Sequence, residues 1–427
     1  MDFLTMPVSE LKKTKAELEE RYRSFQAKKL NLNMARGKPG ADQLNLSRPM
    51  LDVLNSSSGL TASSGDDCGN YGVALGLPEA RTLMAGMMGV KAENVIIGGN
   101  SSLNMMFDTV ACGMTHGFSG CKPWAGQEHL KFLCPSPGYD RHFAVTEYFG
   151  FDLVTVPMTA AGPDMDVVEK LAADPSVKGI WCVPKYSNPM GITYSDETVR
   201  RFAALKPAAP DFRIFWDNAY CVHELTDTPD QLLNLWEECE KQGTLEHAFF
   251  FASTSKITFP GAGVAAMAAG GSNFEVLKNR YSFQTIGADK LNQLRHVRFL
   301  KDQDGIKAQM EKHRALIAPK FEAVLKKLDA ELCGKNVASW TSPKGGYFVS
   351  VDVTKGCAKR VVSLCAQAGV KLTGAGATFP YGKDPDDRNI RVAPTFPPVA
   401  ELEQAMDLFC ICVQLAAAEK LLSEQSV

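Results

Sequence analysis

Several things are scarce in this sequence, and each scarcity excludes a class of protein. No apolar run is long enough to span a bilayer, since the longest candidates are interrupted by Asn, Ser or Gln. There is no basic excess: 46 Lys and Arg against 48 Asp and Glu leave a net charge of −2. That balance argues against a nucleic-acid or anionic-membrane partner, so any anion site must be a local cluster. Seven histidines are scattered, and the only close cysteine pair, Cys410 and Cys412, lies in an apolar run with no second pair or histidine at ligand spacing. No metal is expected from that pattern. A GxGxxG phrase with a downstream acidic residue is also missing, which argues against a dinucleotide-dependent oxidoreductase. The opening MDFLTMPVSELKKTKAELEE has neither an apolar h-region nor transit-peptide character. With twelve dispersed cysteines, this predicts a cytoplasmic protein.

What is present suits a large globular enzyme. A chain of 427 residues with 45% hydrophobic content predicts two domains and a sizeable core. Leu11, Leu18, Tyr22 and Phe25 fall at helical spacing behind Ser9, a good N-cap, so residues 9–28 read as an amphipathic helix. The phrase LNLNMARGKPGADQLNLS and the polar stretch from Asn55 to Gly76 read as loops. From about residue 80, strands are expected at 94–98, 130–134, 152–157, 179–183, 212–217, 248–252 and 262–268, with helices between most of them. Such alternation predicts an α/β fold with a mainly parallel sheet sandwiched by helices. A charged helix over Lys307–Leu328 reads as a connector. Strand-like YFVSVDV, a helix over Ala358–Ala368 and a last helix from Val399 follow it. The expected division is a large domain over 60–310 and a smaller α+β domain made of 1–59 and 311–427.

Six phrases carry chemistry. In FFFASTSKITFPG, Lys256 follows an apolar strand and the hydroxyls of Ser253, Thr254 and Ser255. A Schiff-base lysine needs a desolvated site, and such hydroxyls bind phosphate; a surface lysine after a buried strand is the plainer alternative. In RIFWDNAY, a strand delivers Asp217 at its C-terminal end, where α/β sheets place ligands. An aspartate there can keep a pyridine nitrogen protonated, and Tyr220 can reach a phenolic oxygen; otherwise Asp217 simply caps a helix. In VPKYSNPMG, Asn188 precedes proline and is held out of the helical region, in what is otherwise ordinary turn chemistry. NVIIGGNSSLNMMF reads as strand, glycines and a helix start at Ser101, whose free backbone N–H groups suit phosphate. In CPSPGYDRH, Tyr139 follows a tight turn and can stack on a flat heterocycle or merely pack. In RNIRVAP, Arg391 offers a fork for a carboxylate, or a solvated strand arginine.

Taken in order, Tyr71, Ser101, Tyr139, Asn188, Asp217, Tyr220, Lys256 and Arg391 resemble the pattern of fold-type I pyridoxal 5′-phosphate (PLP) aminotransferases of class I, the aspartate aminotransferase superfamily. The resemblance covers nearly the whole chain. ARGKPGADQLNLS and PSPGYDRH look most like a divergent bacterial-type subgroup related to the aminotransferase half of MocR-type regulators. It implies that Lys256 forms the internal aldimine and shuttles the substrate proton, that Asp217 pairs with the pyridine nitrogen, and that Asn188 and Tyr220 bond the ring oxygen. It further implies Tyr139 stacked on the ring and Asn100, Ser101, Ser253 and Ser255 on the phosphate. Tyr71, in GNYGVALGLPEAR, would reach the phosphate of a neighbouring subunit in a homodimer. Arg391 would grip the substrate α-carboxylate beside Gly37. The reaction implied is ping-pong transfer of an amino group from an amino acid, aspartate or glutamate, to 2-oxoglutarate or oxaloacetate. The alternatives are aromatic or 2-aminoadipate substrates, a PLP β-lyase, or a non-catalytic PLP-binding regulator. One departure stands out: relatives place an arginine about eight residues past the lysine, and KITFPGAGVAA has Gly263 and Val264 there. For a side-chain carboxylate, Arg36 ranks first, ahead of Arg280 and Lys290.

Overall fold

A computed structural model describes residues 2–425. An eight-stranded sheet forms its centre, in the order Val95–Ile97, Ala265–Ala269, Ala248–Ser253, Arg213–Asp217, Val177–Cys182, Lys131–Ser136, Asp152–Thr159 and Gly162–Pro163. The five strands from 248–253 to 152–159 run parallel, and Ala265–Ala269 is antiparallel to both its neighbours. The inner strands are buried along their length, which is why they read as runs such as IFW and FFFA rather than as alternations. Asp152–Thr159, near the sheet edge, instead mixes two buried positions, Leu153 and Val156, with intermediate and exposed ones.

The seven expected strands all form, within a few residues of their expected limits. The first helix spans Val8–Ala27 with Pro7 at its N-cap position and no side-chain capping bond; Ser9 falls inside its first turn. The connector is longer than its charge pattern suggested, Gln303–Leu332, because the Asp302 carboxylate accepts the Gly305 N–H and fixes the start a turn earlier. Asp164, Ser195, Asn234 and Asp289 cap four other helices in the same manner.

A second sheet of three antiparallel strands, Ala338–Trp340, Val349–Val353 and Asn389–Val392, lies C-terminal to the connector. Leu32–Asn33 pairs in parallel with Val370–Lys371. One apolar cluster joins Phe3, Leu11, Leu18 and Tyr22 of the N-terminal segment to Phe321, Val351, Leu364 and Phe409. The last helix, Val399–Glu424, is buried on every side from Leu408 to Ala418, which accounts for an apolar run without helical periodicity. Cys410 and Cys412 are free thiols in that core. No helix among the described residues is long and apolar enough to cross a membrane.

Behind the Lys256 turn, His296 contributes a measurable pH dependence. Its Nδ1–H donates to the Asn292 carbonyl at 2.8 Å, so Nε2 accepts the Thr258 hydroxyl at 2.9 Å. Burial lowers its pKa from 6.5 to about 4, so folding favours the neutral ring. The resulting stability is fully present above pH 6.5 and is lost as pH falls through 4, at most about 3 kcal/mol. The urea midpoint is therefore expected to drop further between pH 7 and pH 4 in the parent protein than in His296→Gln. Equal drops would remove His296 from the acid response.

Candidate active site

The C-terminal ends of the parallel strands converge on one cavity of about 330 Å³, within the range of small-molecule sites. Asn100 and Ser101 enter it after strand 95–97, and Tyr139 after 131–136. Asn188 arrives from the loop after 177–182, Asp217 and Tyr220 from 213–217, and Ser253, Ser255 and Lys256 from 248–253. Gly37 and Phe348 close it from the other side. Strand ends are where a parallel sheet offers unpaired backbone and diverging loops, so residues far apart in sequence meet there.

Lys256 sits on the turn after its strand, with Nζ 4.9 Å from the Tyr220 ring centre and 5.8 Å from that of Tyr347. Desolvation lowers its pKa, and the Asp217 charge opposes part of that shift. Asp217 is buried; its Oδ2 lies 3.0 Å from His142 Nε2, while Oδ1 has no partner. An unpaired buried carboxylate oxygen is costly, so a donor entering the cavity is the natural complement. His142 is held in turn by stacking on Trp181, 4.5 Å between centres at 14°, and by the edge of Tyr139 at 4.9 Å. Burial and the nearby Asp217 and Asp140 charges push the Tyr139 phenol up to about 12, so it stays protonated at neutral pH.

At the opposite end, Ser101 occupies the N-cap position of the helix Ser102–Thr115 without a side-chain capping bond, and the Ser253 and Ser255 hydroxyls lie 3.0 Å apart. Ser255 also donates to the Asn100 carbonyl at 3.2 Å. Together they form a polar cup beside a helix N-terminus, suited to an anion. Gly263 leaves little room for a side chain: a Cβ there would lie 3.2 Å from Thr254 Oγ1 and 3.3 Å from the carbonyls of Asn100 and Phe259. The loop folds onto itself, with Val264 N–H donating to Thr254 Oγ1 at 2.9 Å and Asn292 donating to the carbonyls of Ala262 and Gly263.

Arg391 lies next to the cavity, 7% exposed. Its Nη1 donates to Asp140 at 3.0 Å and to Asn188 at 3.1 Å, its Nε has no partner, and its guanidinium lies 4.9 Å from the Phe348 ring centre. Phe348 explains Gly37, because any Cβ at 37 would fall 2.4 Å from the ring. Four more of the sequence candidates lie outside the cavity lining. Tyr71 is 83% exposed on a different face, beside Ile286 and Leu291. Lys290 is buried and already donates to the Gly72 carbonyl at 3.0 Å, and also to Asn70. Its ammonium is therefore committed to shaping the Tyr71 loop rather than free to meet a substrate carboxylate. Arg280 belongs to the helix Gly271–Gln284, and Arg36 is exposed on the loop preceding Gly37. Sequence reasoning overlooked His142, Trp181 and Phe348. His142 stood in the PSPGYDRH phrase, three residues after Tyr139 and thus on the same side of the helix start.

Comparison with known proteins agrees with this architecture. The aspartate aminotransferase of Corynebacterium glutamicum is 44% identical over 404 residues, covering 94% of this chain and 93% of that protein. The crystal structure of an aspartate transaminase from the same organism superposes with a TM-score of 0.96 at 42% identity, covering 98% of this chain and 99% of that one. At 20% identity, the structure of the α-aminoadipate aminotransferase of Thermus thermophilus, complexed with N-(5′-phosphopyridoxyl)-L-leucine, shares the fold with a TM-score of 0.73 over 92% of this chain and 93% of that one. The aspartate amino-transferase family model matches residues 6–425, and this chain, an aminotransferase, belongs to that family.

Proposed function

We propose that this aminotransferase holds PLP on Lys256 and transfers an amino group from aspartate or glutamate to 2-oxoglutarate or oxaloacetate by a ping-pong route. The observation that carries the reading is the partnerless Oδ1 of buried Asp217, in the same cavity as a desolvated lysine. These residues fit the cofactor. When bound, PLP supplies an electron sink for the charge left at the substrate Cα after proton removal.

The chain's own residues do the rest. Asp217 would accept the pyridinium N–H on Oδ1, while His142 keeps Oδ2 occupied and the carboxylate oriented. Tyr220 and Asn188 would hydrogen-bond the ring oxygen, and Tyr139 would cover the ring face. Asn100, Ser101, Ser253 and Ser255, with the helix N-terminus, would hold the phosphate by neutral donors where relatives use an arginine and this chain has Gly263. Desolvation favours the free amine of Lys256, which would take up and give back the proton at the substrate Cα. Arg391, with its unpaired Nε, would take the α-carboxylate beside Gly37, and Arg36 stands closest in sequence for a side-chain carboxylate.

The exposed apolar side chains of Tyr71, Ile286 and Leu291, which line one surface pocket, support a homodimer in which Tyr71 reaches the partner's phosphate site. The core shared by the N-terminal segment and the C-terminal third supports the division into a domain over 60–310 and a smaller one of 1–59 with 311–427. Twelve free cysteines, most of them buried, support a cytoplasmic setting. The name of the Corynebacterium relative at 44% identity supports aspartate as donor.

The test is the absorption spectrum of the purified protein with PLP, before and after L-aspartate. A visible band that moves to the near ultraviolet with aspartate is expected. A band that ignores aspartate but answers 2-aminoadipate or an aromatic amino acid would change the substrate. No band at any PLP concentration would sink the cofactor assignment.

A further inference from the structure

A buried polar network underlies the Lys256 turn, and the reaction described above does not use it. The carbonyl of Ile257, the residue after the lysine, receives three donors: His313 Nε2 at 3.0 Å, Ser47 Oγ at 3.3 Å and Gln309 Nε2 at 3.4 Å. His313 and Gln309 come from the connector helix Gln303–Leu332, and Ser47 ends the short helix Ala41–Leu46. Gln43, on that short helix, is fully buried. Its Nε2 lies 3.2 Å from His313 Nδ1 and donates to the Tyr347 hydroxyl at 2.9 Å, while its Oε1 accepts the Gly40 N–H at 3.2 Å.

The shorter contacts, at 3.0 and 3.2 Å, select one tautomer over the 3.5 Å approach of Gln309 Nε2 to His313 Nε2. A carbonyl facing Nε2 requires Nε2–H, and an amide N–H facing Nδ1 requires a bare Nδ1. The Gln43 amide cannot turn around, because its oxygen is taken by Gly40. Protonating His313 would set N–H against N–H in a site closed to water, so the ring is locked neutral. The Tyr347 ring at the end of the network is one of the two that Lys256 Nζ overlies. The network therefore ties the loop before Ala41, which carries Gly37 into the cavity, to the backbone beside the lysine.

We propose that His313, held neutral as its Nε2–H tautomer by Gln43, is a positioning residue for Lys256 that acts through the Ile257 carbonyl. The proposal rests on Lys256 being the reactive lysine. Burial lowers the His313 pKa, reinforcing the neutral form, although the Ile257 carbonyl and the Asp42 charge pull the other way. Asp42 is itself paired with Lys320 at 3.1 Å. The other groups facing the ring are uncharged: Gln43, Gln309, Ser47 and the Tyr347 phenol, together with neutral His223 further toward Lys256. Since the folded-state pKa is depressed, the network stays intact through the ordinary histidine range and fails only as pH falls well below it.

Three full-length variants test this. His313→Gln can accept from Gln43 and donate to Ile257, and is expected to keep the parent kcat and visible band. His313→Phe fills the space without hydrogen bonds. It is expected to lower kcat with aspartate roughly 10- to 100-fold while KM stays within about twofold, since the lysine's aim is disturbed and not the carboxylate site. Gln43→Met is expected to lower kcat in the same direction, and it stands in if the phenylalanine variant does not fold. Equal kcat in parent, His313→Phe and Gln43→Met, or parallel losses in kcat and KM, would overturn the proposal. A second readout needs no cofactor: 15N-histidine NMR of the PLP-free protein. His313 is expected as the Nε2–H tautomer at pH 6, and Gln43→Met, which removes the amide N–H opposing Nδ1, is expected to raise the pH at which the ring protonates. An Nδ1–H or protonated His313 at pH 6 would overturn the proposal even if PLP binding itself failed, so the two readings fail separately.

Discussion

Lys256→Ala is expected to abolish turnover, by at least about 10⁴-fold, the upper range for a single acid–base group, and to remove the lysine-dependent visible band. The size follows from the geometry. No other lysine contributes to the cavity lining among the described residues, and the walls around Nζ are Tyr220 and Tyr347, neither of which can act as a base near neutrality. Burial pushes both phenols well above their usual range, so they stay protonated. Stability should scarcely fall, because Lys256 makes no ion pair and removing a desolvated ammonium relieves a penalty. A folded Lys256→Ala protein that turns over aspartate normally would end the mechanism. A protein that merely unfolds would show the lysine to be structural, which thermal melting distinguishes.

Asp217 should give the second largest effect, and two substitutions separate its two oxygens. Asp217→Asn can still meet His142 through one amide atom but presents no charge to the cavity. The expected result is a kcat loss of about 10²- to 10³-fold, the range for removing one preorganised electrostatic partner, with a melting temperature close to the parent's. Asp217→Ala should lose at least as much rate. It should also lose about 1–3 kcal/mol of stability, because buried His142 is left without its partner. Measuring kcat and urea midpoints for both variants decides the matter. Parent-like kcat in Asp217→Asn would mean that the free Oδ1 meets no pyridinium, and that the carboxylate serves only to hold His142.

The phrases that suggested a site were individually weak, and the fold explains why their sum was not. Ser101, Tyr139, Asn188, Asp217 and Lys256 each follow a strand, and every one of those strands runs in the same direction. A sequence that places a polar residue just after each of several buried parallel strands thereby places them on one edge of the sheet. His142 escaped notice because a lone histidine on a helix has no periodic signature. Its role comes from a strand 75 residues away that delivers Asp217 to it. Arg36, Arg280 and Lys290 could not be ranked by residue type, since a cation's availability depends on what already occupies it. Lys290 is taken by backbone carbonyls of a loop some 220 residues distant.

The sequence by itself determined the α/β class, the positions of the main strands, the lysine-bearing turn and the absence of an arginine at 263. All of these are written in local composition: apolar runs that must be buried, turn residues that must bend, and a residue type that is present or not. Only the tertiary structure decided which Asp217 oxygen is free, that Gly263 leaves little room for a side chain, that Gly37 is dictated by Phe348, and that His313 is locked in one tautomer. Those facts depend on atoms brought together across hundreds of residues. Pairwise contact, steric exclusion and hydrogen-bond direction are properties of packing that no local pattern encodes.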